Sequence, residues 1–221
     1  MRASFRNRLP LALLLGLGLG LATGRSWAQG APGEAHVHEA LPPAAAPAQG
    51  RIPTDSIYQL AATWTDQDAR GVPLAALKGR PQVVAMMYTT CQYVCPLIVD
   101  EMKRVERDLP AEVRAEVGFA LFSFDPERDS VPVLKAYAAK RGLDERRWRL
   151  YTGAPEDVLE LAAVLGVRFR KEPDGEFSHS ILITVLDREG VVRYQMVGLN
   201  QDRKPLVSAV LASAGGALHP H

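Results

Sequence analysis

The sequence predicts an α/β domain with a central mixed sheet flanked by helices. Three observations predict it. Residues 82–88 and 119–124 are apolar nearly throughout, as strands covered on both faces are. Segments with apolar residues at helical spacing stand between and after these runs. Two further apolar runs, joined by a short turn, follow near the C-terminus.

The elements follow in order. Residues 82–88 read QVVAMMY and form the first strand. A helix begins around Cys95-Pro96, with Ile98, Met102, Val105 and Leu109 on one face and Asp100, Glu101, Lys103 and Arg104 between them. Pro96 suits a first helical turn, where its missing N–H is no loss, and Pro110 ends the segment. Residues 119–124 form a second strand, closed by Asp125-Pro126. Asp129 or Ser130 caps the next helix, which has Pro132 in its first turn and stops at Gly142. Residues 155–165 form another helix, stopped by Gly166. Residues 171–178 read as a polar loop holding Pro173 and Gly175. Residues 181–186 and 191–197 pair across the turn at 187–190. Residues 202–214 form a closing helix. This alternation gives a parallel portion with one antiparallel edge. A thioredoxin-like fold has that plan.

The first part of the 221-residue chain reads differently. Arg2, Arg6 and Arg8 precede an apolar run at 9–22, and Ser26-Trp27-Ala28 offers a small-x-small cleavage site. Residues 1–28 are therefore expected to be a secretory signal peptide. The alternative is an uncleaved membrane anchor, although the run is shorter than the ~20 residues a spanning helix needs. No cysteine follows the run, which excludes lipid attachment, and Asn7 separates Arg6 from Arg8, which does not support a twin-arginine signal. Residues 29–50, rich in Ala and Pro, are expected to be a flexible linker. Residues 51–215 then make one domain of ordinary size, and 216–221 a disordered tail. A net charge of +1 argues against a nucleic-acid partner.

Two cysteines occur, Cys91 and Cys95. Export places them in an oxidising compartment, where a disulfide is the default. As a structural staple it is weak: a loop of about five residues contributes only ~2 kcal/mol. A domain this long also buries a sufficient core without one. Chemistry explains the pair better. It lies between a strand end and a helix start, where ligands gather in α/β sheets and where N–H groups stabilise a thiolate. An i, i+4 pair in a helix has Cβ atoms ~5–6 Å apart, wider than the ~3.8 Å of a disulfide. Two thiolates on one metal, at ~2.3 Å each, tolerate that separation. Dithiol, disulfide and metal chelate all stay open. Dithiol oxidoreductases more often have two residues between their cysteines, and here there are three.

Thiolates are soft ligands, and a metal needs a third. Of five histidines, His36, His38, His219 and His221 lie in the tails; His179 alone lies inside the domain. Two thiolates and one imidazole form a low-coordinate soft site. Tetrahedral structural zinc needs a fourth ligand, so copper, one per chain, fits better than zinc. The tail histidines are at most weak metal scavengers.

The segments MMYTTCQYVCP, SFDPERD and WRLYTG, with a histidine before an apolar strand, resemble the Sco/SenC family of copper proteins. The likeness runs in order from about residue 52 to residue 200. It implies a thioredoxin-like fold, export to the periplasm, and copper held by Cys91, Cys95 and His179. It also implies work on the CuA centre of cytochrome c oxidase, by delivering copper or by reducing its cysteines. The partner is then the CuA-bearing subunit, with another periplasmic copper donor or a thiol reductant beside it. Gln92-Tyr93 stands where the family often has Pro-Asp, and Ser178 where it often has Asp. The second change removes a carboxylate next to the imidazole.

Two other functions compete. One is a thiol–disulfide oxidoreductase in which Cys91 and Cys95 are redox-active. The other is a peroxiredoxin-like enzyme, since Val-Cys-Pro follows a strand; it wants Thr or Ser three residues before its nucleophile, and Gln92 stands there. The metal-carrier reading makes the protein no turnover enzyme. Asp125 reads as a turn residue before Pro126, Asp129 as a helix cap, Met86 and Met87 as core, and Trp64 and Trp148 as core or rim. The loop at 171–178 is expected to let His179 swing away, so that ligands leave one at a time.

Overall fold

The computed structural model describes residues 53–215. The expectations for 1–28, 29–50 and 216–221, with the four tail histidines, lie outside the described residues.

The chain opens with an antiparallel pair, β1 (Thr63–Asp66) and β2 (Gly71–Pro73). Strand β3 (Gln82–Met87) is buried along its whole length. Helix α1 (Val94–Asp108) buries Ile98, Met102 and Val105 at helical spacing. Its interior also holds Glu101, which Arg104 pairs at 2.7 Å. Short helix α2 (Ala111–Glu116) leads into β4 (Gly118–Ser123), again wholly buried. Then come α3 (Val131–Lys140), β5 (Trp148–Thr152) and α4 (Pro155–Leu165). Gly166 ends α4 with φ +71°, a left-handed cap that favours glycine. Strands β6 (Phe169–Lys171) and β7 (Phe177–His179) form a small hairpin of their own. Strands β8 (Leu182–Leu186) and β9 (Val192–Val197) pair next, and α5 (Lys204–Ala214) closes the domain.

The main sheet has seven strands in the order β2-β1-β5-β4-β3-β8-β9. Strands β3, β4 and β5 are parallel, and β8 and β1 join them antiparallel on either side. Helices α1 and α5 contact each other; α1 also packs on β3, α5 on β8 and β9, and α3 on β5. This is the thioredoxin-like plan. Buried apolar surface holds it together: Val83, Ile98, Leu121, Leu150 and Ile183 are sealed from solvent. Each such side chain contributes about 2 kcal/mol. Met86, Met87, Trp64 and Trp148 are core residues, as expected.

Three expectations are corrected. The sheet has a second antiparallel edge, β1–β2, which the sequence reading left out along with β5. Residues 171–178 are not an unpaired loop but the greater part of the β6–β7 hairpin, with the Glu172 N–H donating to the Glu176 carbonyl at 2.7 Å. Asp129 does not cap α3. Ser130 occupies the cap position, and the Asp129 carboxylate instead accepts from the Thr89 N–H, the Thr89 hydroxyl and the Ser123 hydroxyl.

Candidate metal centre

Strand β3 ends at Met87, and residues 88–93 carry the chain to α1. Tyr93 occupies the cap position of α1 without a side-chain hydrogen bond, and the first turn has no acidic residue. A sulfur does the capping. The Cys95 N–H donates to Cys91 Sγ at 3.4 Å. The Cys95 thiol and the Tyr93, Val94 and Cys95 amides all stabilise the Cys91 thiolate. Against the cost of desolvation, they lower its pKa from 9.0 to about 4. Cys95 moves the other way: its bond to Cys91 and its burial push its thiol well above the ordinary value. The pair thus holds one thiolate and one thiol. Both cysteines are free; Cys95 is sealed from solvent, and Cys91 is 8% exposed.

The third donor arrives from the hairpin. His179 is the last residue of β7, opposite Phe169 in β6. Its ring packs on Phe124, with centroids 5.0 Å apart, and stands edge-on to Tyr88. Nδ1 lies 3.0 Å from the Ser180 carbonyl, which only a donor satisfies, so Nδ1 carries the hydrogen. In the neutral ring Nε2 then carries the lone pair, and it faces the thiols, 3.8 Å from Cys95 Sγ. A hydrogen-bonded Nδ1 is the usual support of a metal-binding histidine.

The two sulfurs and one ring nitrogen all lie within 4.8 Å of one another. Bonds of ~2.3 Å to sulfur and ~2.0 Å to nitrogen place trigonal ligands about 3.7 to 4.0 Å apart. A small side-chain rotation therefore closes the set on one ion. Among the described residues this is the one such group of His, Cys and acidic side chains. The carboxylate of Glu176, in the same cleft, is engaged by the Tyr88 hydroxyl at 2.8 Å. The donor set fits a soft ion of low coordination number better than tetrahedral zinc.

An open cleft of about 570 Å³ leads to the site, lined by Tyr88, Cys91, Gln92, Tyr93, Phe177 and His179 among others. Tyr93 is 82% exposed at its rim. Asp125 opens the turn at Pro126 as expected, its carbonyl accepting from the Arg128 N–H at 3.1 Å. Its carboxylate is buried and pairs with Arg128, whose Nη2 donates to the Gly175 carbonyl of the hairpin at 2.7 Å. Tyr88, Arg128 and Glu176 join the surroundings of the site unannounced by the sequence, because their partners are 47 and 88 positions away.

Fold and site define a thioredoxin-like protein that gathers two thiols and one imidazole at the end of a buried strand. The family model SCO1/SenC matches residues 53–213, and the chain belongs to that family. It is 32% identical over 115 residues to a Bacillus subtilis (strain 168) protein named "SCO1 protein homolog", covering 52% of this chain and 59% of that one. It is 31% identical over 137 residues to a Stutzerimonas stutzeri protein named "Putative copper-binding protein", covering 58% and 63%. The chain thus spans about three fifths of the length of these curated relatives. A solved structure of BsSco, described as a member of the Sco family of cytochrome c oxidase assembly proteins, superposes with a TM-score of 0.60 at 27% identity. That match covers 69% of this chain and 91% of the other.

Proposed function

We propose that the protein is an exported copper carrier, which holds one copper ion through Cys91, Cys95 and His179 and serves the CuA centre of cytochrome c oxidase. The observation that carries this reading is the closed group of two sulfurs and one lone-pair nitrogen within 4.8 Å. The names of the Stutzerimonas relative and of BsSco support copper and oxidase assembly respectively. The chain's own residues account for binding. Cys91 is already a thiolate, Cys95 gives up its proton as the ion enters, and the Ser180 carbonyl holds Nδ1 of His179 so that Nε2 faces the sulfurs. The ion is cargo, handed to an acceptor that brings its own thiols into the cleft.

Residues 51–215 act as the copper domain, 1–28 as the export signal, 29–50 as a tether and 216–221 as a tail. The protein works outside the cytoplasm, free or anchored by its N-terminal segment. Among the described residues no helix is long and apolar enough to cross a membrane.

A second reading has its own observation. The low pKa of Cys91 beside a free Cys95 also suits a dithiol that reduces the acceptor's cysteines. One experiment separates the two. Copper-loaded protein and metal-free dithiol protein are added separately to a metal-free CuA domain, in its reduced and its disulfide form. Delivery predicts that the loaded protein builds the CuA spectrum on the reduced domain. Reduction predicts that the dithiol form acts on the disulfide domain, with copper then supplied free. If neither addition changes the acceptor, both readings fail.

A further inference from the structure

Arg128 stands outside the ligand set yet touches the parts that place His179. Its Nε donates to the buried Asp125 carboxylate, just beyond β4. Its Nη2 donates to the Gly175 carbonyl in the hairpin turn at 2.7 Å, and Nη1 lies 3.8 Å from Glu176 Oε1. The guanidinium carbon sits 5.7 Å from the ring centroids of both Tyr88 and Phe177. Tyr88 completes the frame: its hydroxyl donates to Glu176 and accepts from the Phe177 N–H at 3.4 Å.

The hairpin needs such a tie. Strands β6 and β7 have three residues each and pair only with one another. A lone two-stranded hairpin is marginal in water. Phe169 and Phe177 pack on Phe124, which keeps the hairpin on the domain. Apolar contact is non-directional, however, and does not by itself fix where the hairpin sits. The exposed Lys171–Glu127 pair at its edge adds little. A planar guanidinium fork, anchored on a buried carboxylate, is directional.

We propose that Arg128 is a positioning residue: it locks the β6–β7 hairpin to the end of β4 and so sets the distance from His179 Nε2 to the cysteine pair. This rests on the reading of His179 as the third ligand. Arg128 never meets the ion. Its whole effect on metal binding passes through His179.

The test uses Arg128→Lys in the full chain. Lysine keeps a cation beside Asp125, so no buried charge is orphaned, but one ammonium cannot hold Asp125 and the Gly175 carbonyl together. Cu(II) affinity is measured anaerobically by chelator competition for the parent, R128K, H179A and the double variant. R128K is expected to weaken Cu(II) about ten- to a hundredfold, the range for a residue that orients a ligand. H179A is expected to weaken it at least as much, and the double variant no further than H179A alone. A metal-free readout accompanies these. Hydrogen exchange at the Glu172 and Gly175 amides, both bonded inside the hairpin, should quicken in R128K while β3 and β4 stay unchanged. Parental affinity in R128K, effects additive with H179A, or unchanged hairpin exchange would each overturn the positioning role and leave His179 a ligand. Parental Cu(II) affinity in H179A would remove the ligand reading, and the positioning role with it.

Discussion

Cys95 Sγ lies 3.8 Å from His179 Nε2, although 84 positions separate the two residues. The sulfur rides on the first turn of α1, and the imidazole on a hairpin outside the main sheet. The two meet at the end of β3, over the rings of Tyr88 and Phe124. The group of two sulfurs and one ring nitrogen is therefore a product of tertiary structure, and it is sensitive to whatever moves the hairpin.

His179→Ala should weaken Cu(II) more than Cu(I). Two thiolates satisfy Cu(I) in near-linear geometry, whereas Cu(II) takes more ligands and prefers nitrogen. The Cu(II) loss should exceed about tenfold, since losing a ligand costs more than losing a residue that orients one. Chelator competition in both oxidation states measures it. Equal losses for the two ions would contradict the role given to His179.

Cys91 should react as a thiolate far into acid. The thiolate is the nucleophile, and its pKa is lowered to about 4 by Cys95 and the α1 amides. As pH falls from neutral, Cys91 keeps its charge until about 4 and protonates only below that. In the reduced, metal-free protein its alkylation by iodoacetamide should stay nearly flat from about pH 8 to about pH 5, then drop about tenfold per unit below pH 4. Cys95, its pKa raised and its sulfur sealed, should stay unmodified throughout. A Cys91 rate that climbs steadily up to pH 8 would mean an ordinary thiol.

Asp129→Ala should destabilise the fold. The carboxylate accepts from Thr89, twice, and from Ser123, and all three donors are left without it. At about 1 kcal/mol or more for each orphaned donor, the loss comes to about 3 kcal/mol. Urea unfolding measures it. A midpoint like that of the parent would show that water takes over these bonds.

Tyr93→Ser should separate binding from transfer. Tyr93 stands 82% exposed at the cleft rim, beside buried sulfurs that an acceptor must approach closely. Exposed aromatic anchors often dominate such contacts. Copper affinity should stay within about twofold while transfer to the acceptor domain slows about tenfold, a loss of ~1.4 kcal/mol in the docked complex. Stopped-flow transfer kinetics would show it, and an unchanged rate would remove Tyr93 from the docking surface.

Local signals made part of this legible. The apolar runs of β3 and β4 announced buried strands, and Ile98, Met102 and Val105 announced the inner face of α1. His179 stood out as the one histidine away from the tails. What stayed hidden was short or long-range. Strand β2 has three residues and β1 only four, too few for alternation to show. In β5, Arg149 breaks an otherwise apolar stretch, and only pairing with β4 makes it a strand. The hairpin at 169–179 looked like a loop because Pro173, Asp174 and Gly175 dominate its centre. Asp129 has the residue type of a helix cap, but a carboxylate is drawn to the strongest donors within reach, and those are Thr89 and Ser123. Nothing in one dimension ties Arg128 to Gly175.

The proposed function stands or falls with one copper ion being held jointly by Cys91, Cys95 and His179. Copper X-ray absorption on the reduced, loaded protein tests it most directly. The expected result is one copper per chain, with two sulfur scatterers near ~2.3 Å and one nitrogen near ~2.0 Å, the nitrogen vanishing in His179→Ala. A shell that lacks two sulfurs, or a nitrogen that persists without His179, would contradict it.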